Sequence, residues 1–556
     1  MFRMTGLRLE CDVADFVSPF EVFLDQAQRR PEAPFLLAPP SAHLPYAPQG
    51  FRFTYGQLLD DLLATSARFA EAGYGLGDRV ALLLENRPEF FVYWLALNRL
   101  GVVILPLNPD LRREELAFQL TLTEITLMIV HDDRIEDVRA WQFDGVEIAG
   151  VGQDIARKAN PPPAGTPDRS TTCALLFTSG SSGAPKACIL SNGYFLELAE
   201  WYITQGGIAT MEEGAEIALT PLPLFHMNAL GCTSVGMMRM GGAVVPLDRF
   251  HASNWWDVIA DSKATIVHCL GVIPAIVLQL PHNPAERSHN VKFALGPGVG
   301  AKQKLDFEER YGIPIVEAWA MTETGGRAVT STAADDYEPG QRCIGRPRKG
   351  MEYRIVLDDG ADAPLGTPGE LLVRASGSDP RDGFFSGYLH DEAATEDAWK
   401  GGWFHTGDVV YADAGGLLYF FDRKKFIVRR SGENIAVLEV ETALARDSRL
   451  VAAAVSPVPD PLRDEEVFAF VVLAGGVAPT QETADDIVVK CGEVLAYHKV
   501  PGYVAFISGL PLGLTQKLQR GEIKAMARAR VEAGDMFDCR KLKSGLRKAV
   551  AVDQKK

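Results

Sequence analysis

The apolar run Leu175-Leu-Phe177 opens directly into Thr178-Ser-Gly-Ser-Ser-Gly-Ala-Pro-Lys186. Gly180 and Gly183 let backbone N–H groups turn toward an anion, the hydroxyls of Thr178, Ser179, Ser181 and Ser182 add donors, and Lys186 supplies a point charge. Phosphate suits this set of groups. An ordinary P-loop needs glycine before its lysine and Ser or Thr after it; here Pro185 and Ala187 flank Lys186, which disfavours a Walker-type NTPase. Two other readings stand beside phosphate binding. Gly-Ser strings serve as linkers, and a serine with a lysine base could attack an amide. The apolar strand leading in argues against the first, and the second leaves the rest of the chain unexplained.

Further along, Thr322-Glu323 pairs a hydroxyl able to donate to an α-phosphate with a carboxylate able to ligate Mg2+. Alone, such a pair is more often a capping element. Gly296-Pro-Gly298 follows the strand-like Val291–Leu295, and its missing side chains would let a flat base approach closely. His226 sits in an apolar setting, where a lone histidine is more often a satisfied core residue. Asp422-Arg-Lys-Lys425 reads by itself as a solvated basic cluster.

The elements that must carry these groups alternate. Tyr55–Ala72 and Glu89–Leu100 have helical spacing, whereas Arg79–Leu84, Gly101–Leu107 and Thr126–Val130 are buried-strand runs, the pattern of layered α/β architecture. The Pro-rich stretch 160–170 is an exposed connection just before the phosphate loop. Strand-like runs at Ile427-Val428, Val451–Val455 and Val467–Leu473 suggest a small α/β unit after about residue 425. A chain of 556 residues exceeds what one core usually serves.

A net charge of -16 argues against a nucleic-acid surface. The eight cysteines, at 11, 173, 188, 232, 269, 343, 491 and 539, show no metal-binding spacing and read as reduced, packed thiols. Neither a signal-peptide pattern nor an apolar run approaching ~18 residues is visible, so a cytoplasmic setting without an integral membrane segment is expected. From Asp538 onward, Arg540, Lys541, Lys543, Arg547, Lys548, Lys555 and Lys556 suggest a solvated, partly disordered tail.

The loop resembles the phosphate-binding loop of the adenylate-forming superfamily of acyl-CoA synthetases, adenylation domains and luciferases. Six further signatures follow in the family's order: Pro223-Leu-Phe-His226, Trp319-Ala-Met-Thr-Glu323, Gly402-Trp-Phe-His-Thr-Gly-Asp408, Asp422-Arg-Lys-Lys425, Ser431-Gly-Glu-Asn434 and Thr515-Gln-Lys517. The resemblance runs from about Phe16 to about Arg530. It implies a large N-terminal domain of layered sheets flanked by helices, residues 1–424, that binds ATP and the acyl group. A small mobile α/β domain, 425–535, and a basic tail, 536–556, follow. Local wording around Arg430-Ser-Gly-Glu-Asn434 and Arg463–Val467 is similar to the crotonobetaine/carnitine-CoA ligase branch.

Residue by residue, the resemblance assigns the Thr178–Gly183 loop and Lys186 to phosphate, Glu323 to Mg2+ and Thr322 to the α-phosphate. Gly296, Pro297, Gly298, Trp319, Ala320 and Met321 go to adenine, Asp408 to the ribose hydroxyls, and Arg423 to ribose and phosphate. Lys425 is the domain pivot, and Lys517 binds the reacting carboxylate. His226 belongs at the acyl-pocket mouth, in a gating role within the catalytic set, with Met227, Asn228 and Gly271 lining the pocket. Trp319-Ala320 replaces the family's usual Tyr-Gly, and Gln516 its usual glycine. The implied activity is acyl-AMP formation with pyrophosphate release, then acyl transfer to coenzyme A. ATP, Mg2+ and coenzyme A would serve a small carboxylic acid, and a homodimer is left open. Delivery to another acceptor and a non-catalytic nucleotide-binding protein are the alternatives.

Overall fold

The computed structural model describes residues 15–553 apart from 42, 112, 179–184, 271, 335–341, 424–425, 431–432, 461–462, 496 and 513–517. They form two compact units. The first comprises the residues up to Tyr353 with Val373–His405 and Gly416–Leu418; the second comprises Arg354–Leu372, Thr406–Gly415 and the chain from Tyr419 onward.

In the first unit, the strand runs read from the sequence become Arg79–Leu83, Val103–Pro106 and Leu127–Val130, and the helical spacings become helices Tyr55–Glu71 and Pro88–Arg99. Ala81 pairs with Leu105 on one side and Met128 on the other, both in parallel register. Nearly every residue of these strands is buried, because parallel strands covered by helices on both faces are apolar throughout instead of alternating. Strand Thr172–Thr178 continues this sheet beside Val103–Pro106, and Lys186–Ser191 returns antiparallel to it, with Thr178 opposite Lys186. The edge is the short strand Gly387–Tyr388. A second seven-stranded sheet centres on Ile217–Thr220, flanked by Ile266–His268 and Ala243–Pro246 in parallel. Layered α/β architecture is therefore what the chain adopts.

The second unit holds a sheet in which the long hairpin Leu450–Asp460 and Asp464–Leu473 pairs onward with Tyr503–Phe506. Helices Val437–Leu444, Gln481–Gly492 and Arg520–Ala533 accompany it. The basic end departs from the solvated tail expected of its composition. Arg540–Asp553 is a helix, and Lys543, 1% exposed, reaches Glu466 Oε1 at 2.5 Å, while Arg430 Nε donates to Glu466 Oε2 at 2.9 Å. The buried carboxylate needs cationic partners, which composition alone does not reveal. Among the described residues no helix is long and apolar enough to cross a membrane.

Candidate active site

Lys186 begins its strand at the mouth of the Gly-Ser loop. The loop residues Ser179, Gly180, Ser181, Ser182 and Gly183 lie outside the described residues, as do Gly271, Lys425 and Lys517. What remains is well placed. Lys186 Nζ stands 3.1 Å from Asp391 Oδ2 and 4.9 Å from the centre of the Tyr388 ring. The Tyr388 hydroxyl donates to Glu323 Oε1 at 2.9 Å. Glu323 is buried, and burial, reinforced by the Glu323 charge, pushes the Tyr388 hydroxyl well above its ordinary range. Tyr388 is thus held as a donor to the carboxylate.

Asp391 does two things. Its carboxylate caps helix Glu392–Ala398 by accepting from Ala394 N at 3.0 Å, and this bond, with the Lys186 contact, holds its pKa below the usual carboxylate value. Because the cap is independent of Lys186, the lysine can exchange Asp391 for an incoming phosphate without undoing the helix start. Tyr388 and Asp391 were missed by sequence reasoning. The signal available was the Gly387-Tyr388 pair, which has meaning only once its antiparallel pairing with Cys188 and Ile189 is known.

Thr322 is half-buried in the turn where Met321 N donates to Thr324 Oγ1 at 2.9 Å. Trp319 ends a two-residue strand paired antiparallel to Thr330. In the Gly296-Pro-Gly298 turn the two glycines meet different local constraints. A Cβ on Gly296 would meet Ile315 Cγ2 at 2.8 Å, so this glycine permits interior packing, whereas Gly298 has open space around it but a φ of +78°. Gly298 N donates to Glu317 Oε1 at 2.7 Å, and burial raises the Glu317 carboxyl to about 7 against that bond.

Around the expected acyl pocket, Phe225, His226, Met227 and Asn228 form a half-buried run bounded by buried Leu224 and Ala229. A π-helix, Asn228–Val235, follows immediately. Such wide turns are rare and recur at functional sites. The Tyr194 hydroxyl lies 3.6 Å from Met227 Sδ.

In the second unit the structure brings two of the expected residues together. Asp408 is buried, with Arg423 Nε 3.1 Å from its Oδ1 and its own backbone N–H donating to Thr406 Oγ1 at 3.0 Å. Neighbouring Asp422 accepts from Leu438 N, and burial raises its carboxyl to about 6.

Among the described residues no group of three or more His, Cys, Asp or Glu is arranged to hold a metal. One fixed carboxylate suits Mg2+, which keeps several waters and takes its remaining ligands from substrate phosphates. Glu323, buried and oriented by Tyr388, fits that role. The seven described cysteines are all buried thiols, and burial raises the thiol of Cys188, beside Thr178, as expected of an inert packed group.

Comparison with known proteins accords with this geometry. The family described as "AMP-binding enzyme" matches residues 23–389, and "AMP-binding enzyme C-terminal domain" matches 439–517. A crotonobetaine/carnitine–CoA ligase of Proteus mirabilis is 29% identical over 497 residues, covering 84% of this chain and 92% of that protein. Its counterpart from Citrobacter koseri is 28% identical over 501 residues, covering 85% and 93%. Among solved structures, the anthranilate CoA ligase AuaEII in complex with anthranoyl-AMP superposes with a TM-score of 0.80 at 21% identity, covering 94% of this chain and all of that one. The Bacillus subtilis o-succinylbenzoate CoA synthetase in complex with its acyl-adenylate intermediate gives 0.75 at 24%, covering 90% and 97%.

Proposed function

We propose that this chain, which belongs to the AMP-binding enzyme family and is an AMP-forming ligase, joins a compact carboxylic acid to coenzyme A in two half-reactions. The carrying observation is the Lys186–Asp391 and Tyr388–Glu323 cluster at the mouth of the Gly-Ser loop, where a cation held by an exchangeable partner stands beside a fixed carboxylate.

In the first half-reaction the acid's carboxylate attacks the α-phosphorus of ATP. The bond to the bridging oxygen breaks, and pyrophosphate leaves with its electron pair. Lys186 releases Asp391 to meet the phosphates, Thr322 donates to the α-phosphate, and Lys517 binds the carboxylate oxygens as charge shifts among them. No general base is needed, because a carboxylic acid is ionised at neutral pH. Glu323 would hold Mg2+, which supplies charge neutralisation on the phosphates. Trp319, Ala320, Met321 and the Gly296–Gly298 turn take adenine, with indole as the stacking surface. Asp408 and Arg423 take the ribose.

In the second half-reaction the coenzyme A thiol attacks the acyl carbon and AMP departs. His226 gates the acyl pocket, and the segment after Lys425 rotates to withdraw Lys517. Free coenzyme A as the acceptor is supported by the names of the two relatives above, both CoA ligases. Purified protein given ATP, Mg2+ and a panel of carboxylic acids should release pyrophosphate with at least one of them, and should form AMP in step with thiol consumption when coenzyme A is added. AMP formation that no acid elicits, or that coenzyme A leaves unchanged, would refute the reading.

A further inference from the structure

His268 ends strand Ile266–His268 and has no exposure. Its Nε2 lies 2.7 Å from the Tyr202 hydroxyl; its Nδ1 lies 2.7 Å from Asn228 Oδ1 and 3.1 Å from Thr233 Oγ1. Burial lowers its pKa to about 3, so the ring is neutral and carries one N–H. Which nitrogen carries it decides which end of the Asn228 amide faces the cleft.

If Nε2 held the proton, it would donate to the Tyr202 oxygen. The Tyr202 hydroxyl, fully buried with His268 its one described partner, would then have no acceptor, which is the costly arrangement for a buried donor. With the proton on Nδ1 every group is satisfied: Tyr202 O–H donates to Nε2, Nδ1–H donates to Asn228 Oδ1, and the Thr233 hydroxyl reaches the Asn228 carbonyl at 3.4 Å. The amide oxygen of Asn228 is thereby turned inward, and its NH2 faces outward at the half-buried start of the π-helix.

We infer that the Asn228 amide is a fixed hydrogen-bond donor in the acyl pocket, and that the acid activated here carries an acceptor oxygen, such as a hydroxyl or keto group, on its acyl chain. This rests on the ligase reading above and on the placement of the acyl group beside His226–Asn228. A site built to bond a polar group rejects the analogue lacking it far more strongly than an apolar pocket rejects a missing methylene, because its own donor is left unpaired. His268 and Tyr202 act through Asn228 and are positioning residues.

The test uses the full-length protein, ATP, Mg2+ and coenzyme A, with AMP formation measured on matched acids: butanoate against 3-hydroxybutanoate, pentanoate against 4-oxopentanoate, and benzoate against 3-hydroxybenzoate. At least one pair should favour the oxygenated acid by about tenfold or more in kcat/KM. Asn228→Leu should collapse that ratio, and the near-isosteric Asn228→Asp should turn it below one for 4-oxopentanoate, whose ketone, unlike a hydroxyl, cannot donate to a carboxylate. His268→Leu combined with Tyr202→Phe removes the Nδ1 donor that holds the Asn228 oxygen inward, together with the hydroxyl that would be left without an acceptor, and so frees the amide to turn its oxygen outward. The ratio should fall in this variant too, although neither altered residue touches substrate, and an unfolding midpoint near that of the unaltered protein would show that the effect is not lost folding. Activation of the acids without preference, or a preference that survives Asn228→Leu, would overturn the inference while leaving the ligase reading intact. AMP formation with none of the acids, across a wider panel as well, would remove the ligase reading and the inference with it.

Discussion

Lys186 in the first unit and Lys543 in the second each face one carboxylate, yet the two sites are built oppositely. Lys186 and Asp391 keep 22% and 40% of their side-chain surface in solvent, whereas Lys543 and Glu466 keep 1% each, with Arg430 closing the other carboxylate oxygen. A half-solvated pair is worth no more than about 1 kcal/mol, so its lysine can change partners cheaply. A sealed triad holds its charges in place, and losing one member strands another in a medium that cannot solvate it. The first arrangement is suited to a visiting anion and the second to fixing a helix against a sheet.

Breaking each site should therefore give opposite signatures. Lys543→Ala should destabilise the second unit by about 3–5 kcal/mol, the figure for removing one partner of a buried ion pair. All eight tryptophans lie in the first unit, so denaturation followed by tryptophan fluorescence should change little while far-UV circular dichroism shows an earlier transition. A shift of both probes together would erase the contrast. Lys186→Ala should lower kcat for adenylation about 10²–10³-fold, about 2.7–4 kcal/mol of transition-state stabilisation, with both transitions unmoved. Loss of stability instead of rate would make Lys186 a structural residue. Tyr388→Phe deletes a hydrogen bond to a charged acceptor, worth about 1.5–3 kcal/mol, and should slow pyrophosphate release about 10–100-fold at unchanged Tm.

Acid and alkali sharpen the same comparison with a smaller effect. Burial holds the imidazoles of His268 and His131 down at about 3 and about 4, below the ordinary 6.5. Below pH 6.5 the unfolded first unit therefore binds protons that the folded one refuses, and its stability should fall as pH drops through that window, by at most about 1.4 kcal/mol per pH unit for each group. Burial likewise lowers Lys543 to about 8 from 10.5, so the second unit should gain from this group as pH rises between those values. Unfolding midpoints of Lys543→Met and the unaltered chain, compared at pH 7 and pH 10, would isolate that term. Equal pH slopes in the two proteins would refute it.

The strand and helix runs of the first third were legible because parallel strands and their covering helices carry nearly unbroken apolar signatures, as at Arg79–Leu83 and Leu127–Val130. The adenylate-forming family was legible because its signatures are contiguous in sequence. Partners that meet only after folding were not. Nothing near Lys186 in the chain announces Asp391, and His268, at the end of its strand, meets Asn228, at the start of the π-helix, across 40 residues. The basic end misled because its composition is that of a solvated segment, and only the buried Glu466 explains why one of its lysines is drawn inward.

Gly325 and Gly326 lie against helix Asn192–Ile203 so closely that a Cβ on the first would stand 2.4 Å from Tyr194 Cε2, and one on the second 2.4 Å from the Leu198 Cα. The turn bearing Thr322 and Glu323 is therefore cast directly onto this helix, whose Tyr194 also touches Met227 and whose Tyr202 touches His268. On the proposed reading, a single rod serves as common wall to the phosphate chemistry and the acyl pocket. Selection for a new acid, in nature or in the laboratory, should then proceed by exchanging side chains on a stationary backbone, since any solution that shifts the rod to make room would detune adenylation as it widened the pocket.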